Sequence, residues 1–269
     1  MKSGRSPIVL SRRDGLVFER SASAHTPGLF RVDKRIECRG VVERSIVTGH
    51  FWIFATVADE TGLTEAFCAH RWLPLPHCRA FMIPPRSVLR LRLTEVRLKA
   101  CGLVGQLPLP SELSSVPRFS ALEPFAPPVP HDLAGITAYL RAATLVDPDE
   151  GVGEIACEAR RGLYEVLHSV RPVRAMAGKL GVAPETISRA FLRAYGVSPK
   201  AYVHRARVSD AVLRLMTGSG VLGAAFDAGF GHASRFYDIF KRLTGNTPGE
   251  YVAGVDQKSR RQSLNTAPS

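Results

Sequence analysis

The sequence predicts an α+β protein, with an N-terminal β-rich domain followed by an all-α domain carrying two helix-turn-helix units. Three observations predict it. Short runs of branched and aromatic residues, separated by Pro and Gly, fill residues 28–109. Seven prolines crowd residues 107–130. Between residues 171 and 251 one pattern of Ala, Gly, Phe, Pro and Tyr occurs twice.

Residues 1–27 are polar and predict a loose start. Strands are expected over Leu29–Ile36, His50–Ala58 and Val88–Leu93. In the last of these, Leu89, Leu91 and Leu93 alternate with Arg90 and Arg92, the period of a half-buried strand. The alternation changes phase after Thr94, which predicts a bulge or a turn. Residues 1–120 are therefore expected to form the β-rich sensor or dimerisation domain. The proline run reads as an extended connection, because each Pro removes a backbone donor and restricts its neighbour. Residues 121–149 form a linker with a helix over His131–Val146, ending at Asp147-Pro148-Asp149. A second helical pattern occupies Val152–Val170. Residues 150–252 are the second domain, and 253–269 a flexible tail.

The chain of 269 residues carries a net charge of +12, which suits a polyanionic partner. Residues 1–130 hold +7, residues 131–170 hold −4, residues 171–251 hold +7 and the remainder +2. Charge alone does not say which basic region meets the polyanion. No stretch has the roughly 18 uninterrupted apolar residues of a membrane helix, and no secretory signal is readable, so a cytoplasmic location without membrane is expected. The five cysteines, Cys38, Cys68, Cys78, Cys101 and Cys157, are an odd number without a CxxC pair. They read as reduced thiols rather than as a disulfide or zinc framework. Cys68 and Cys78 raise a redox-sensing or thiophilic-metal-sensing reading beside the ordinary one of buried small hydrophobes. His25, His50, His70 and His77 lack the close HxH spacing that a metal site needs, so no metal is expected.

The internal repeat is the strongest signal. Phe191-x4-Gly196-x2-Pro199-x2-Tyr202 recurs as Phe240-x4-Gly245-x2-Pro248-x2-Tyr251, displaced by 49 residues, and Ala177-x3-Gly181 recurs as Ala225-x3-Gly229, displaced by 48. One residue is gained in the intervening turn. The small Ala lets a second helix cross closely, and the Gly suits a left-handed helix C-terminus. The second helix of the first unit is expected from about Pro184 to Tyr195, with Pro in its first turn. Ile187, Phe191 and Ala194 face inward, with Glu185, Ser188, Arg189 and Arg193 outward. In the second unit Phe236, Ile239, Phe240 and Leu243 face inward, with Ser234, Arg235, Asp238, Lys241 and Arg242 outward. Crossed helices joined by a glycine turn, with Arg, Ser and acids on the outer face, describe a DNA-reading helix-turn-helix.

At these residues the segment 171–251 resembles the DNA-binding domain of the AraC/XylS family of bacterial transcription regulators. The run from Met176 to Ala211 matches that family's first unit and connecting helix. The second unit matches its closing signature, including Gly229-Phe230, Phe236, Phe240-Lys241-Arg242, Gly245, Pro248 and Tyr251. The resemblance implies a long helix over about Pro199–Met216 and two recognition helices entering successive major grooves. It places Glu185, Ser188 and Arg189 at base edges in one groove, and Ser234, Arg235 and Asp238 in the next. Arg reads guanine, and Glu or Asp accepts from cytosine. Arg193, Lys241, Arg242 and Arg207 are placed for phosphates or for structural pairing. Two departures stand out. Asp238 occupies a position that is usually basic, and the helix caps are Ala183 and His232 rather than small polar residues.

The resemblance also implies partners: double-stranded promoter DNA and RNA polymerase. A small-molecule effector and a homodimer are left open. No catalytic residue and no cofactor is expected. Activation is the commoner outcome in the family, but nothing in the sequence fixes the sign. The β-rich half, with Phe81-Met82-Ile83-Pro84-Pro85, resembles the family's cupin-like sensor domains, where Arg90, Arg92 and Arg97 face either an anionic effector or solvent. Three rivals stand beside this reading. A DNA alkyl-repair protein fused to the same domain needs a tetracysteine zinc cluster, which the cysteine spacing does not supply. A catalytic cupin lacks its ligand histidines. A generic nucleoid protein would bind DNA without preference.

Overall fold

The computed structural model describes residues 8–13, 16–26, 29–50, 52–68, 71–75, 80–105, 117–120, 141, 144–147 and 149–253. The N-terminal part is one antiparallel sheet of ten strands: β1 (Ile8–Arg13), β2 (Leu16–Thr26), β3 (Leu29–Cys38), β4 (Val41–Val47), β5 (Trp52–Cys68), β6 (Arg71–Pro74), β7 (Ala80–Ile83), β8 (Val88–Gly105), β9 (Arg118–Ser120) and β10 (Thr144–Leu145). The order is β1-β2-β3-β8-β5-β7-β9-β10, with β4 also on β8 and β6 also on β5. Six helices follow: α1 (Glu154–Glu165), α2 (Pro172–Leu180), α3 (Pro184–Tyr195), α4 (Pro199–Met216), α5 (Val221–Asp227) and α6 (Ala233–Thr244). An N-terminal β-rich region followed by an all-α region is thus the architecture that the sequence predicts.

The phase change after Thr94 is a break that β8 shares with β5 and with the turn between β3 and β4. Glu95 has φ +51°, Gly40 between β3 and β4 has φ +76°, and Gly62 in β5 has φ +86°. The Glu95 amide donates to the Gly40 carbonyl at 2.9 Å. A β-carbon on Gly62 would lie 2.5 Å from the Glu95 carbonyl oxygen, so only glycine fits there. Buried residues accordingly switch from Leu89 and Leu93 to Val96. Such aligned irregularities bend a sheet.

Two expectations are corrected. Residues 8–13 and 16–26 are not loose but form the paired strands β1 and β2, with Arg13 opposite Leu16. Asp14-Gly15 between them is the sequence pair favoured in two-residue hairpin turns. The expected helix His131–Val146 does not reach its end as a helix. Thr144 and Leu145 pair with Phe119 and Arg118, because the main-chain groups of β9 offer a ladder partner there. Residues 131–140, 142 and 143 of that expected helix, and Cys78, His70 and His77, lie outside the described residues.

The sheet and the helices share their cores. One apolar cluster runs from Ile53, Ile83 and Leu89 through Val208, Ala211 and Leu215 of α4 to Phe236 and Phe240 of α6. The other joins Val47 and Val88 to Leu163 of α1 and to Ile187, Phe191 and Tyr202. Polar contacts cross the same boundary. Ser45 donates its hydroxyl to the Tyr195 carbonyl at 3.0 Å, and Ser209 to the Val47 carbonyl at 3.1 Å. The Asp210 carboxylate accepts from the His50 amide at 2.7 Å and from the Tyr164 hydroxyl at 3.1 Å. No described helix is long and apolar enough to cross a membrane.

Candidate nucleic-acid interface

The duplicated motif is a duplicated geometry. Ala177 and Ala225 are buried, and their carbonyls accept from the amides of Val182 and Phe230 at 3.1 and 3.0 Å, the same bond 48 residues apart. Gly181 and Gly229 take φ +63° and +87°. From Gly181 the next helix starts at Pro184, whereas from Gly229 it starts at Ala233, which locates the extra residue in the second turn. Gly196 and Gly245 cap α3 and α6 in the left-handed conformation. Beyond each cap the chain returns a tyrosine to the helix it has left. The rings of Phe191 and Tyr202 lie 5.4 Å apart, and those of Phe240 and Tyr251 lie 5.6 Å apart. All four side chains are buried. This is why Phe, Gly, Pro and Tyr recur at fixed spacing.

With Ile187, Phe191 and Tyr195 turned inward, α3 leaves Glu185, Arg189 and Arg193 exposed. Ser188 is half-buried and donates its hydroxyl back to the Pro184 carbonyl at 2.9 Å. On α6, with Phe236, Ile239 and Phe240 inward, Ser234, Arg235, Asp238, Lys241 and Arg242 are exposed. Leu243, expected inward, is 37% exposed; α6 ends at Thr244, and the returning chain packs Tyr251 on Phe240 instead. Neither Ala183 nor His232 supplies a side-chain cap, as their chemistry dictates, whereas Ser198 accepts from the Ala201 amide at the start of α4.

The cations of this face are left without carboxylate partners. Among the described residues, Arg189, Arg193, Arg235, Lys241 and Arg242 have no ion pair. By contrast Arg160 pairs with Asp149, and Arg214 with Asp227 at 3.1 Å. The three strand arginines are also engaged: Arg90 and Arg92 with Glu43 at 2.7 and 3.0 Å, and Arg97 near Glu37 at 3.8 Å. Arg90 and Arg92 also lie over the Trp72 ring. Arg207, for which a phosphate or an acid was expected, is buried. It donates to the Leu167 and Ser169 carbonyls, fastening the end of α1 to α4.

Both recognition helices border one cleft of about 480 Å³, where Ser188 of α3 and Arg235 of α6 share the wall with the first turns of α2 and α4. His204 of α4 lies in it. Burial pushes its imidazole down to about 4, helped by the cations Arg235, Lys200, Arg207 and Arg242, so the ring is neutral at pH 7. Arg171, Arg174 and Lys200 also line the cleft. Sequence periodicity did not single them out, because they stand outside the recognition helices.

Two thiols, Cys68 and Cys157, are held protonated by their surroundings. Cys68 is buried and donates to the Asp147 carbonyl at 3.0 Å and to Glu150 at 3.1 Å. Burial first, then Glu150, push it up to about 12. Burial and Asp149 also raise Cys157. A nucleophilic or redox-sensing cysteine needs the opposite shift. Among the described residues no cluster of three His, Cys, Asp or Glu could hold a metal ion.

Paired helix-turn-helix units with unpaired cations on their outer helices define the helix-turn-helix class of DNA-binding domain. Residues 176–254 match a family model described as a helix-turn-helix domain. No curated protein matches the chain. Among solved structures, ToxT from Vibrio cholerae aligns over 85% of this chain and 99% of its own, at 12% identity and a TM-score of 0.51. The C-terminal domain of AraT, a response regulator from Geobacillus stearothermophilus, aligns over 38% of this chain and 86% of its own, at 23% identity and a TM-score of 0.36. A DNA-binding transcriptional dual regulator from Escherichia coli K-12 aligns over 38% and 97%, at 19% identity and a TM-score of 0.33. The likeness to ToxT shows the fold, a β domain followed by a helical domain. The chain carries an AraC-type helix-turn-helix DNA-binding domain.

Proposed function

We propose that this protein is a sequence-specific transcription regulator of the AraC/XylS type, acting on double-stranded promoter DNA as an activator with RNA polymerase. In this reading residues 150–252 bind DNA, residues 1–120 sense a small-molecule effector or join a homodimer, and 121–149 link them. The observation that carries it is the pair of exposed faces on α3 and α6, each borne by one copy of the same folded unit and each holding unpaired arginine. Glu185, Ser188 and Arg189 read one major groove and Ser234, Arg235 and Asp238 the next, while Arg193, Lys241 and Arg242 hold phosphates.

Control through the β domain is supported by its contacts. Ser45 bonds the last carbonyl of recognition helix α3, and the His50 amide bonds Asp210 in the middle of α4. A ligand that moved β4 or the turn after it would act directly on the helix that spaces the two units.

The test is selection of duplexes from a random pool by the full chain, followed by binding of Arg189→Ala and Arg235→Ala. Each variant is expected to lose about 1–3 kcal/mol of discrimination at its own base pair, with the two affected positions about one helical turn apart. A wild-type protein that enriches no sequence would remove this reading and leave the nucleoid-protein rival. A loss of affinity equal on all sequences would make these arginines phosphate contacts instead.

A further inference from the structure

The cleft between the two recognition helices is not explained by base reading. Its charged lining is cationic, with Arg171 and Arg174 from the start of α2, Lys200 from α4 and Arg235 from α6, beside the neutral imidazole of His204. Among the described residues no Asp or Glu lines it. Arg207 also borders it, but its guanidinium is committed to the Leu167 and Ser169 carbonyls. Arg171, Arg174, Lys200 and Arg235 have no carboxylate partner among the described residues. Other arginines of the molecule, among them Arg160, Arg90 and Arg214, are paired with Asp149, Glu43 and Asp227. Here folding leaves a concave site of one sign, and concavity concentrates the field of its walls.

We propose that this cleft is a phosphate seat that grips the backbone of duplex DNA between the two major-groove tracts read by α3 and α6. The proposal rests on the DNA-binding reading above and adds Arg171, Arg174 and Lys200 to the interface. Its logic is geometric. A duplex that meets both recognition helices one turn apart presents the intervening backbone to whatever lies between them. What lies between them is this cleft, since Ser188 and Arg235 are in its walls. The first turns of α2 and α4 also open onto it, so the amide ends of two helices reinforce the side-chain cations. His204 reports the same field: beside burial, the groups that disfavour its proton are Arg235, Lys200, Arg207 and Arg242. A seat of this kind carries no sequence information. It sets the register of the two reading helices and adds salt-sensitive affinity.

The experiment measures binding of the full chain to a selected duplex and to a random duplex, from about 50 to about 200 mM salt. Arg174→Ala, Lys200→Ala, the double variant and Lys200→Arg are compared with wild type, and thermal melts check that each is folded. Each single alanine variant is expected to weaken binding to both duplexes by the same factor. Each should also reduce the slope of log affinity against log salt by about 0.9, the double variant by about twice that, with Lys200→Arg near wild type. Unchanged slopes in folded variants, or a loss confined to the selected duplex, would overturn the seat. Wild-type preference for the selected duplex would stand in that case, so the function reading would survive separately. Inorganic phosphate, titrated calorimetrically, separates the two phosphate sources. Weak phosphate binding that the double variant abolishes, together with the slope change, supports the backbone seat. Tight phosphate binding with DNA slopes unaltered assigns the cleft to a free phosphorylated ligand and overturns it.

Discussion

His204 shows how one residue reads out its surroundings. Half-buried on α4, it has its proton affinity lowered from the ordinary 6.5 to about 4 by burial and by neighbouring cations. The unfolded chain therefore binds more protons than the folded one between those values. This side chain's contribution to stability is intact above about pH 6.5 and is lost as pH falls toward about 4. His204→Gln should remove that loss. In urea unfolding across pH 4–7, the stability of wild type relative to the variant is expected to be flat near neutrality and to fall on the acid side. Parallel curves would show that the imidazole is not held neutral. Cys68 is the converse case. Its spacing from Cys78 invites a sensing role in the sequence, but its burial against Asp147 and Glu150 suppresses the thiolate.

At the scale of the element, the repeated letters prove to be repeated contacts. Phe191 on Tyr202 and Phe240 on Tyr251 close the two units, each across a left-handed glycine. Phe191→Ala and Phe240→Ala are each expected to cost about 3–5 kcal/mol, because each ring is fully buried and its neighbours cannot close the gap. Footprinting should show that each variant loses protection over its own half of the binding site first. Equal loss across the whole site from both variants would mean that the units do not act as separate readers. The recognition-helix faces were legible because burial of Ile187, Phe191, Phe236 and Phe240 fixes by helical period which residues remain outside. Leu243 was misread since periodicity continues to the last turn whether or not anything covers it. The strands β1 and β2 are hard to read from the sequence because their apolar runs, Ile8–Leu10 and Leu16–Phe18, are short and sit among Ser, Arg and Glu.

Over the whole molecule, the β sheet and the helices pack against one another. Their apolar clusters run through the boundary, and Asp210 sits at its centre, accepting from His50 and Tyr164. Gly49 has room for nothing larger: a β-carbon there would lie 2.1 Å from the Asp210 carboxylate and 3.1 Å from its amide. Gly49→Ala is therefore expected to destabilise the protein by about 1–3 kcal/mol through overpacking. It should also shift DNA affinity, since the displaced Asp210 lies on the helix joining the two readers. Unfolding and duplex-binding titrations check this together. A variant unchanged in both would show that the contact bears no load and carries no signal.

The sequence by itself determined the helical repeat, its caps, its inward aromatics and the residues it exposes, because these obey local rules of period and backbone conformation that fold within some 26 residues. It determined the break after Thr94 for the same reason. Only the tertiary structure decided that Arg207 holds carbonyls rather than phosphate, that Arg90 and Arg92 are neutralised by Glu43, and that Arg174, Lys200 and Arg235 share one cleft. Those facts depend on which groups distant in the chain come within a few ångströms of each other. Ionic and hydrogen-bonding partners are set by that proximity, and no periodicity encodes it.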